Sequence, residues 1–497
     1  MARFGFCNGS YTAQSTNVDA ELTMNWYPEN PESPGAKTAV WLAPAQGKKI
    51  AWTLSGPSVR GMIKFQGLVF AVSGSNFYQL SQGGVANLIQ SNLASDNNPV
   101  SMTAGPNQIL FAAAGTMYVW NFATLVFTQI PTSTLAPNNA LVSQVGYIDG
   151  FFICTFTNTG QYQVSNPDDA TTWPLLSTAI VSVFPDNINS MVICYRQVYF
   201  FGGKQTAVYY DAGTPIQPLA PVSGVLIETG SDVTYGTAFM DNTPFWIGSD
   251  DRGQGIAWRA NGYNPVRVST FATEYAWSQY PTLLDAISFT WQDQGHTFWQ
   301  ILFPSANATW LYDAASGQWH QRGFWNGAGF TADHARCHVH AFGQNYMGDW
   351  ASGNVYQQSI NIYTDNGQPI RRVRRAATVA TELEYIYHYE MQIDMETGLG
   401  PIPPLLDGKG NPRDPQIFLR WSDDGGHSWS NEHARDCGQA GQYAKRVIWR
   451  ELGRSRQRIY ELSCSDPIPY RIVDAYLKDS RDAGPVERYQ SQIRKVS

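Results

Sequence analysis

Short apolar runs, many of them aromatic, recur along this chain and are separated by glycine, asparagine and proline turns. The runs are rich in Val, Ile, Phe, Tyr, Trp and Thr, the residues that favour strands. The sequence contains 44 glycines and 28 prolines, which interrupt it too often for long helices. The pattern therefore predicts a nearly all-β protein.

A unit made of a turn, an aromatic-rich strand, a second turn and a further strand repeats along the chain. Its starts are at Phe65, Asn107, Ile148, Tyr195, Asn242, Gln294 and Phe342, which lie 41 to 52 residues apart. This period matches a four-stranded propeller blade, and a ring of blades protects its sheet edges. We predict a β-propeller of about six or seven blades over residues 60–375. Irregular strand pairs in another large antiparallel fold are the alternative.

The pattern of apolar and polar positions changes after Arg375. Residues 382–394 alternate apolar and polar positions, a loop rich in proline and glycine follows at 398–415, and strand pairs then resume. We predict an additional antiparallel β-sandwich-like domain over residues 376–497, ending in a polar arm. Residues 1–59 form an N-terminal strand region that is a candidate to complete this C-terminal domain.

Composition and charge exclude several classes of protein. The chain has 497 residues, of which 43% are hydrophobic and 15% are charged, so it can bury a large core and does not resemble a disordered chain. It shows neither a signal-peptide pattern nor an apolar stretch of about 18 residues, so we expect no membrane insertion and assembly in the cytoplasm. The six cysteines have no close pair spacing, which favours reduced, mostly buried thiols over disulfides.

An acidic turn near the end of the chain has the pattern Ser-x-Asp-x-Gly-x-Ser-Trp, with Ser422, Asp424, Gly426 and Trp429 at its key positions. An Asp carboxylate in such a turn accepts backbone N–H groups, Gly supplies a positive φ, and Trp packs beneath. Turns of this kind resemble the Asp-box of sialidases and other propellers, where it is a structural hairpin. We expect a structural role for it here.

Basic residues concentrate in two runs, the second of which we expect to form two short strands folded at Gly453. The ten residues are Arg371, Arg372, Arg374, Arg375, Lys445, Arg446, Arg450, Arg454, Arg456 and Arg458. We predict that they are subunit-interface or DNA-channel residues. A salt-bridged subunit face is favoured over contact with DNA phosphate, since the net charge of −7 argues against general coating of nucleic acid.

Motifs of catalysis are missing from the sequence, which lacks a nucleophile elbow, a phosphate-binding loop and a zinc-protease helix. We therefore expect a protein that is not an enzyme and has no cofactor. His334, Cys337, His338 and His340 are residue types that bind zinc. In an extended strand, however, Cys337 faces away from His338 and His340, so we expect no metal site.

The segment from Phe418 to Tyr476 resembles the C-terminal region of the packaged-DNA stabilisation proteins of short-tailed phages, also called tail accessory, tail hub or nozzle proteins. The resemblance rests on four short stretches of this sequence. They are Asp423-Asp424-Gly425, Tyr443 with Lys445-Arg446-Val447-Ile448-Trp449-Arg450, Leu452-Gly453-Arg454, and Ile459-Tyr460-Glu461-Leu462.

The resemblance implies a structural virion protein of a phage tail, assembled in the host cytoplasm as a homo-oligomeric ring, with a hexamer expected. Such a ring lies below the portal and its adaptor, extends the DNA channel and retains packaged DNA. It touches passing DNA without sequence specificity and offers attachment to tailspikes or fibres and to a needle or plug. The alternative is a carbohydrate-active or carbohydrate-binding propeller, sialidase-like or receptor-binding, in which Trp173 or Trp429 would stack on sugars.

Overall fold

The computed structural model describes residues 1–137, 139–249 and 255–481, and nearly every element in them is a strand. These residues contain one α-helix, Phe271–Ser278, capped by the Thr270 hydroxyl, which accepts the Thr273 N–H. Two 3-10 turns cover Thr132–Thr134 and Leu175–Ser177. In the part of the chain described, no helix has the length and hydrophobicity needed to cross a membrane. The all-β prediction is confirmed.

Six four-stranded antiparallel blades follow one another along the chain, each built from one continuous segment; the first five are separate sheets and the sixth is part of a larger sheet. Their strands, blade by blade, are Val59–Phe65, Leu68–Ser73, Asn76–Ser81 and Val85–Gln90; Ser101–Ala104, Gln108–Ala113, Thr116–Asn121 and Val126–Gln129; Val142–Ile148, Phe151–Phe156, Gln161–Val164 and Thr178–Ile180; Ser190–Cys194, Gln197–Phe201, Thr206–Asp211 and Leu219–Ile227; Thr237–Met240, Thr243–Ser249, Gly255–Asn261 and Asn264–Arg267; Ile287–Asp293, His296–Phe303, Ala308–Asp313 and Gln318–Gln321.

A seventh sheet closes the ring and is composite. Its strands are Ala335–Ala341, Gln344–Asp349, Asn354–Ser359 and, on the outside, Gly47–Thr53 from the N-terminal region. The first strands of neighbouring blades lie against one another in cyclic order, and the ring closes where the seventh blade meets the first. The propeller thus has six continuous blades and one composite blade, within the predicted range.

The seven predicted repeat starts all fall at the hairpins that join the first and second strands of the seven blades. In five of these hairpins both central residues have positive φ, as at Gln66 (47°) and Gly67 (78°) or Asp149 (46°) and Gly150 (94°). This is the type I′ geometry that matches the natural twist of paired strands. The local turn chemistry therefore produced the repeat signal, and these turns define one face of the propeller, which we call the hairpin face.

The segment that contains Thr234 and Tyr235 precedes the first strand of the fifth blade, at the end of that strand opposite the hairpin face. The side-chain amide of Gln144, in the third blade, donates to the Thr234 carbonyl oxygen at 2.6 Å. Burial and the charge of Asp96 raise the pKa of Tyr235, whereas the charges of Arg60 and Arg336, from the first and seventh blades, act in the opposite direction. Residues of the first, third and seventh blades thus interact with this segment.

Two further sheets face each other and form a β-sandwich. One contains Trp26–Glu29, Trp41–Pro44, Ile472–Asp479, Ile386–Met395 and Val447–Arg450, and the other contains Ala20–Met24, Arg372–Arg375, Gln457–Cys464, Gln416–Ser422 and His433–Asp436, each in that order. Trp26, Trp449 and Tyr460 are fully buried in the core between them. Strands from the first 59 residues therefore belong to both sandwich sheets.

The second sandwich sheet is continuous with the sixth blade, because Met24 pairs with Gln321 in the outer strand of that blade. An eleven-stranded sheet results, which joins the sandwich to the propeller. The remaining short strands lie at the margins. They are Ala2–Arg3, Tyr11–Thr12, Gly323–Trp325, Phe330–Ala332, Thr364–Asp365, Gln368–Pro369, Val379–Ala380, Leu405–Leu406, Pro412–Arg413 and Arg454–Ser455.

A buried charge cluster fixes the closing strand in the seventh blade. Lys48, the second residue of that strand, forms an ion pair with Asp333 in which both side chains are almost wholly buried. Arg322 lies on the other side of Asp333, with its Nε 3.1 Å from a carboxylate oxygen. Burial opposes ionisation of Asp333, but the charges of Lys48 and Arg322 outweigh it and hold the pKa of Asp333 below its usual range.

We predict that Lys48→Met destabilises the protein by about 3 kcal/mol, because it leaves the Asp333 carboxylate buried with only one cation. The matched control is Lys49→Met, whose exposed neighbouring side chain should contribute less than about 0.5 kcal/mol. Chemical denaturation of the two variants and the parent chain measures both values. Equal stabilities of the two variants would mean that the charge cluster does not hold the closing strand.

Candidate interaction site on the sandwich

Both predicted basic runs lie in the sandwich, but the second does not fold back on itself. The strand Val447–Arg450 pairs with Ile386–Met395 in one sheet, whereas Gln457–Cys464 pairs with Arg372–Arg375 in the other. Gly453 has a φ of +78°, but Arg454–Ser455 beyond it still pairs with Ile386–Met395, and the strand of the other sheet begins only at Gln457. The expected fold at Gly453 is therefore corrected, because the chain continues along the first sheet past Gly453 and crosses to the other layer of the sandwich at Arg456.

Three of the ten predicted basic residues, Arg372, Arg374 and Arg458, are buried inside the chain. Arg374 donates to the Gly9 carbonyl oxygen at 2.9 Å and to the Thr23 hydroxyl at 2.8 Å, and it forms an ion pair with Glu21. The expectation of a surface role is therefore corrected for these three residues, because their guanidinium groups are enclosed by the protein itself.

Arg458 anchors the acidic turn to the sandwich core. Its Nε and Nη2 donate to the two carboxylate oxygens of Asp423 at 2.6 and 2.8 Å. Its guanidinium carbon also lies 5.1 Å from the ring centroid of Trp421. Such a two-pronged contact fixes orientation as well as charge, so Arg458 sets the position of the turn.

The acidic turn has the internal hydrogen bonds that its sequence predicts. A carboxylate oxygen of Asp424 accepts the Ser428 N–H at 2.9 Å, and the Ser422 hydroxyl accepts the Gly426 N–H at 2.8 Å. The Trp429 indole N–H donates to the Gly426 carbonyl oxygen at 3.1 Å. Hydrogen bonds from the hydroxyl and backbone of Ser428 hold the pKa of Asp424 below its usual range. The Asp424 carboxylate is therefore occupied by hydrogen bonds within the turn itself.

The two tryptophans named for the carbohydrate alternative do not present a free ring face on which a sugar could stack. Trp173 is only 5% exposed. The ring centroid of Trp429 lies 4.9 Å from the guanidinium carbon of Arg375 and 4.7 Å from that of Arg420. Both arginines form ion pairs with the buried Glu461. Trp429 is therefore held by two guanidinium groups, and the alternative is corrected for both residues.

Arg371 completes the first basic run and lies at the surface margin. Its Nη2 is 2.8 Å from a carboxylate oxygen of Glu432, and its guanidinium carbon lies 4.7 Å from the ring centroid of Trp325. It is a partly exposed residue with both an ion pair and an aromatic contact. Arg371 and Arg375 thus contribute to local structure as well as to surface charge.

Four exposed arginines lie along one strand of the sandwich, Ile386–Met395, and we call them the arginine row: Arg446, Arg450, Arg454 and Arg456. Arg446 donates to the side-chain oxygen of Gln392 at 2.5 Å, and Arg450 forms an ion pair with Glu390 at 2.9 Å. Lys445, beside the row, pairs with Asp436.

At the other end of the row, Arg454 and Arg456 both stack on the half-exposed ring of Tyr385, each with its guanidinium carbon 4.9 Å from the centroid. Within the described residues neither has a carboxylate partner. Arginine and tyrosine are the residues that most often anchor protein interfaces. The row is therefore an exposed cationic surface suited to contact with an acidic partner.

The sequence analysis did not predict that the tyrosines and polar residues of strand Ile386–Met395 belong to this surface. The alternating pattern at 382–394 indicated a strand, but it did not show that this strand would lie beside the second basic run. Only the pairing of Glu390 with Arg450 and of Tyr387 with Arg454 brings them together.

The histidine cluster of the seventh blade has the predicted geometry. His338 Nε2 and His340 Nδ1 lie 2.9 and 3.1 Å from the same side-chain oxygen of Asn345. Among the described residues, no group of three or more His, Cys, Asp or Glu side chains is placed to bind a metal ion. All six cysteines are unpaired.

The fold defines a protein with a β-propeller and a β-sandwich. Residues 2–363 match the family model described as Bacteriophage P22 Gp10, beta-propeller, and residues 371–478 match the model described as Bacteriophage P22 Gp10, beta-sandwich. The chain belongs to the Bacteriophage P22 Gp10 family of phage structural proteins, which stabilise packaged DNA.

No curated protein matches the sequence. Among solved structures, the computationally designed Ika8 protein is 10% identical with a TM-score of 0.39, covering 62% of this chain and 99% of its own. The N-terminal domain of Nup159 is 9% identical with a TM-score of 0.39, covering 68% and 98%. PorZ of Porphyromonas gingivalis, a component of the type-IX secretion system, is 10% identical with a TM-score of 0.38, covering 68% and 44%. At these TM-scores none of the three bears on the function of this chain.

We predict that Arg374→Met destabilises the protein by about 3–5 kcal/mol at neutral pH, because Glu21 remains buried without its cation. Burial already raises the pKa of Glu21, against the charge of Arg374. A carboxyl group whose folded-state pKa is raised stabilises the fold less as the pH rises, and losing Arg374 raises that pKa further. The loss of unfolding free energy in Arg374→Met should therefore be smaller at pH 5 than at pH 8.

The matched control is Arg446→Met, which removes an exposed arginine and should change stability by less than about 0.5 kcal/mol at both pH values. Urea unfolding at the two pH values measures both variants against the parent chain. A pH-independent deficit in Arg374→Met would exclude Glu21 as the charge left behind.

Proposed function

We propose that this protein forms the tail hub, or nozzle, of a short-tailed phage: a homo-oligomeric ring below the portal and its adaptor that extends the DNA channel. The observation that carries the proposal is the arginine row, a Tyr- and Arg-rich surface on a chain of net charge −7. A cationic surface on an otherwise acidic chain is complementary to another copy of that chain. We infer that the row is a subunit contact and that the ring is a hexamer.

We place the DNA path at the centre of the ring of copies, because a chain of net charge −7 lets DNA slide without adhering.

The remaining partners follow from the same proposal. The ring binds the portal-adaptor assembly above, tailspikes or fibres at its periphery and a needle or plug below, and it is assembled in the host cytoplasm. Passing genomic DNA is contacted without sequence specificity. The chain acts mechanically, by closing a ring and sealing a channel, and uses no cofactor.

The experiment that tests the proposal compares particles assembled with and without this gene. We expect heads without the protein to package DNA normally and then lose it, so that little genome is protected from DNase. Full retention of DNA together with failed adsorption to the host would contradict the closing role and indicate host recognition.

We predict that the double substitution Arg454→Glu/Arg456→Glu lowers the amount of DNase-protected genome about tenfold or more, because like charges then meet across the subunit contact. The same reversal at Arg196, an exposed propeller residue paired with Asp149, is the matched control and should leave retention unchanged. Thermal unfolding of both purified variants checks that the chains fold. Normal retention in the double variant would remove the arginine row from the ring contact.

A further inference from the structure

A buried histidine lies where the sandwich rests on the sixth blade of the propeller. His296, the first residue of the second strand of that blade, is 7% exposed. Its Nδ1 atom is 2.9 Å from a carboxylate oxygen of Asp313, which ends the third strand of the same blade. Its Nε2 atom is 3.7 Å from a carboxylate oxygen of Glu29, the last residue of the sandwich strand Trp26–Glu29. One imidazole ring thus faces a carboxylate from the propeller and another from the sandwich.

The sandwich strand that carries Glu29 also packs a tyrosine against this histidine. The ring centroid of Tyr27 lies 5.1 Å from that of His296 and 5.4 Å from that of Phe298, both in edge-to-face geometry. Tyr27 belongs to an apolar cluster that includes Phe298 and Trp291 of the sixth blade. The contact between sandwich and propeller is therefore apolar at Tyr27 and ionic at Glu29, two residues further along the strand.

The two carboxylates favour the charged form of the imidazole. Asp313 is fully buried and also accepts the Ala315 N–H at 3.0 Å and the Ser316 hydroxyl at 2.7 Å. Burial opposes its ionisation, but hydrogen bonds from His296 and Ser316 outweigh burial and hold the pKa of Asp313 below its usual range. Burial likewise opposes the charging of His296, but the hydrogen bond and charge of Asp313, with the charge of Glu29, raise the pKa of His296. This histidine therefore keeps its proton to a higher pH than a histidine in water.

Other groups that face His296 from the neighbouring strands keep one charge state near neutral pH. Burial lowers the pKa of His320, in the outer strand of the sixth blade, to about 3, so this second histidine is neutral. Burial raises the pKa of Tyr27, which keeps its phenol proton. Arg471, whose charge reaches Tyr27 from the sandwich, forms an ion pair with Glu396 at 2.7 Å. Among these groups, His296 is the one whose charge changes near and above neutral pH.

A cavity on the hairpin face connects this histidine with solvent. The cavity has a volume of about 560 Å³, and its lining includes His296, Asp293 and, from the seventh blade, His340. Asp293 pairs with His296 across the hairpin that joins the first two strands of the sixth blade. Burial raises the pKa of Asp293, against a hydrogen bond from Gln46 and the charge of Arg322. Protons can therefore reach His296 while the blade stays folded.

We propose that His296 is a proton-operated latch between the propeller and the sandwich. When the imidazole is protonated, it is a cation shared by Asp313 and Glu29 and holds the end of strand Trp26–Glu29 on the sixth blade. When the proton leaves, Glu29 faces a neutral ring and the nearby charge of Asp313, so this end of the strand loosens. The latch lies within one chain and does not rest on the function proposed above.

The direction of the pH response follows from the raised pKa of His296. A histidine whose folded-state pKa lies above its unfolded value of 6.5 stabilises the fold fully below about pH 6.5 and loses this contribution as the pH rises through the folded-state pKa. Asp313 acts in the opposite sense, since its stabilising charge is lost as the pH falls through its lowered pKa. The junction should therefore be tightest in mild acid and looser on the alkaline side of neutral.

Hydrogen exchange of the full chain at pH 6 and pH 9 tests the latch, read by mass spectrometry on peptides from the paired strands Trp26–Glu29 and Trp41–Pro44. After correction for the intrinsic exchange rate, we expect protection of these strands to fall roughly three- to tenfold between the two pH values, as for the loss of one partly buried charge pair. His296→Gln and Glu29→Gln should each give the lower protection at both pH values.

Two controls separate the latch from general effects of pH. His427→Gln, at an exposed histidine in the acidic turn, should keep the pH dependence of the parent chain. Peptides from Gln108–Ala113, in the second blade, should show equal protection at pH 6 and pH 9. The pKa of His334, beside Asp349, is also raised, but this histidine is present in every variant, so differences between variants do not come from it.

Glu29→Gln keeps the test decisive if replacement of the buried histidine unfolds the chain, because the Glu29 side chain is 33% exposed and Gln has nearly its size. Loss of the pH dependence in Glu29→Gln, with the parent response intact in His427→Gln, supports the latch. The proposal is overturned if the parent chain protects these strands equally at pH 6 and pH 9, or if the pH dependence persists in Glu29→Gln.

Discussion

The architecture depends on one strand, Gly47–Thr53, and on the buried charge cluster that holds it. This strand precedes the first blade in sequence but completes the seventh blade. Lys48, in this strand, forms a buried ion pair with Asp333. Ala20–Met24 and Trp41–Pro44, a few residues earlier, belong to the sandwich. The N-terminal region therefore closes the ring and builds the second domain at once, so neither unit is complete until contacts more than 300 residues apart have formed.

Arginine serves two different purposes in the sandwich, and burial separates them. Arg372, Arg374 and Arg458 are enclosed, whereas Arg446, Arg450, Arg454 and Arg456 remain at the surface. Of the enclosed residues, Arg374 and Arg458 bind backbone carbonyls and carboxylates of other segments. An acidic chain thereby keeps a small cationic surface. Since much of the positive charge of the two basic runs is used internally, their density in the sequence overstates the charge that a partner meets.

Local features were predictable from the sequence and long-range pairings were not. Five of the seven hairpin turns were recognisable in the sequence because type I′ geometry restricts the residues at two adjacent positions. The sequence did not indicate that Arg374 would be buried, because its partner is Glu21, 353 residues away in sequence. Sequence spacing fixes a turn, whereas a contact between distant strands depends on the closure of the ring.

The arginine row depends on exposed charge, which separates it from the buried ion pairs of the same chain. Contacts made by the row weaken as salt screens them over about 10 Å at 0.1 M. The ion pairs of Arg374 with Glu21 and of Lys48 with Asp333 are enclosed by the protein and are therefore screened much less. Salt should thus weaken any contact made through the row before it loosens the fold of the chain itself.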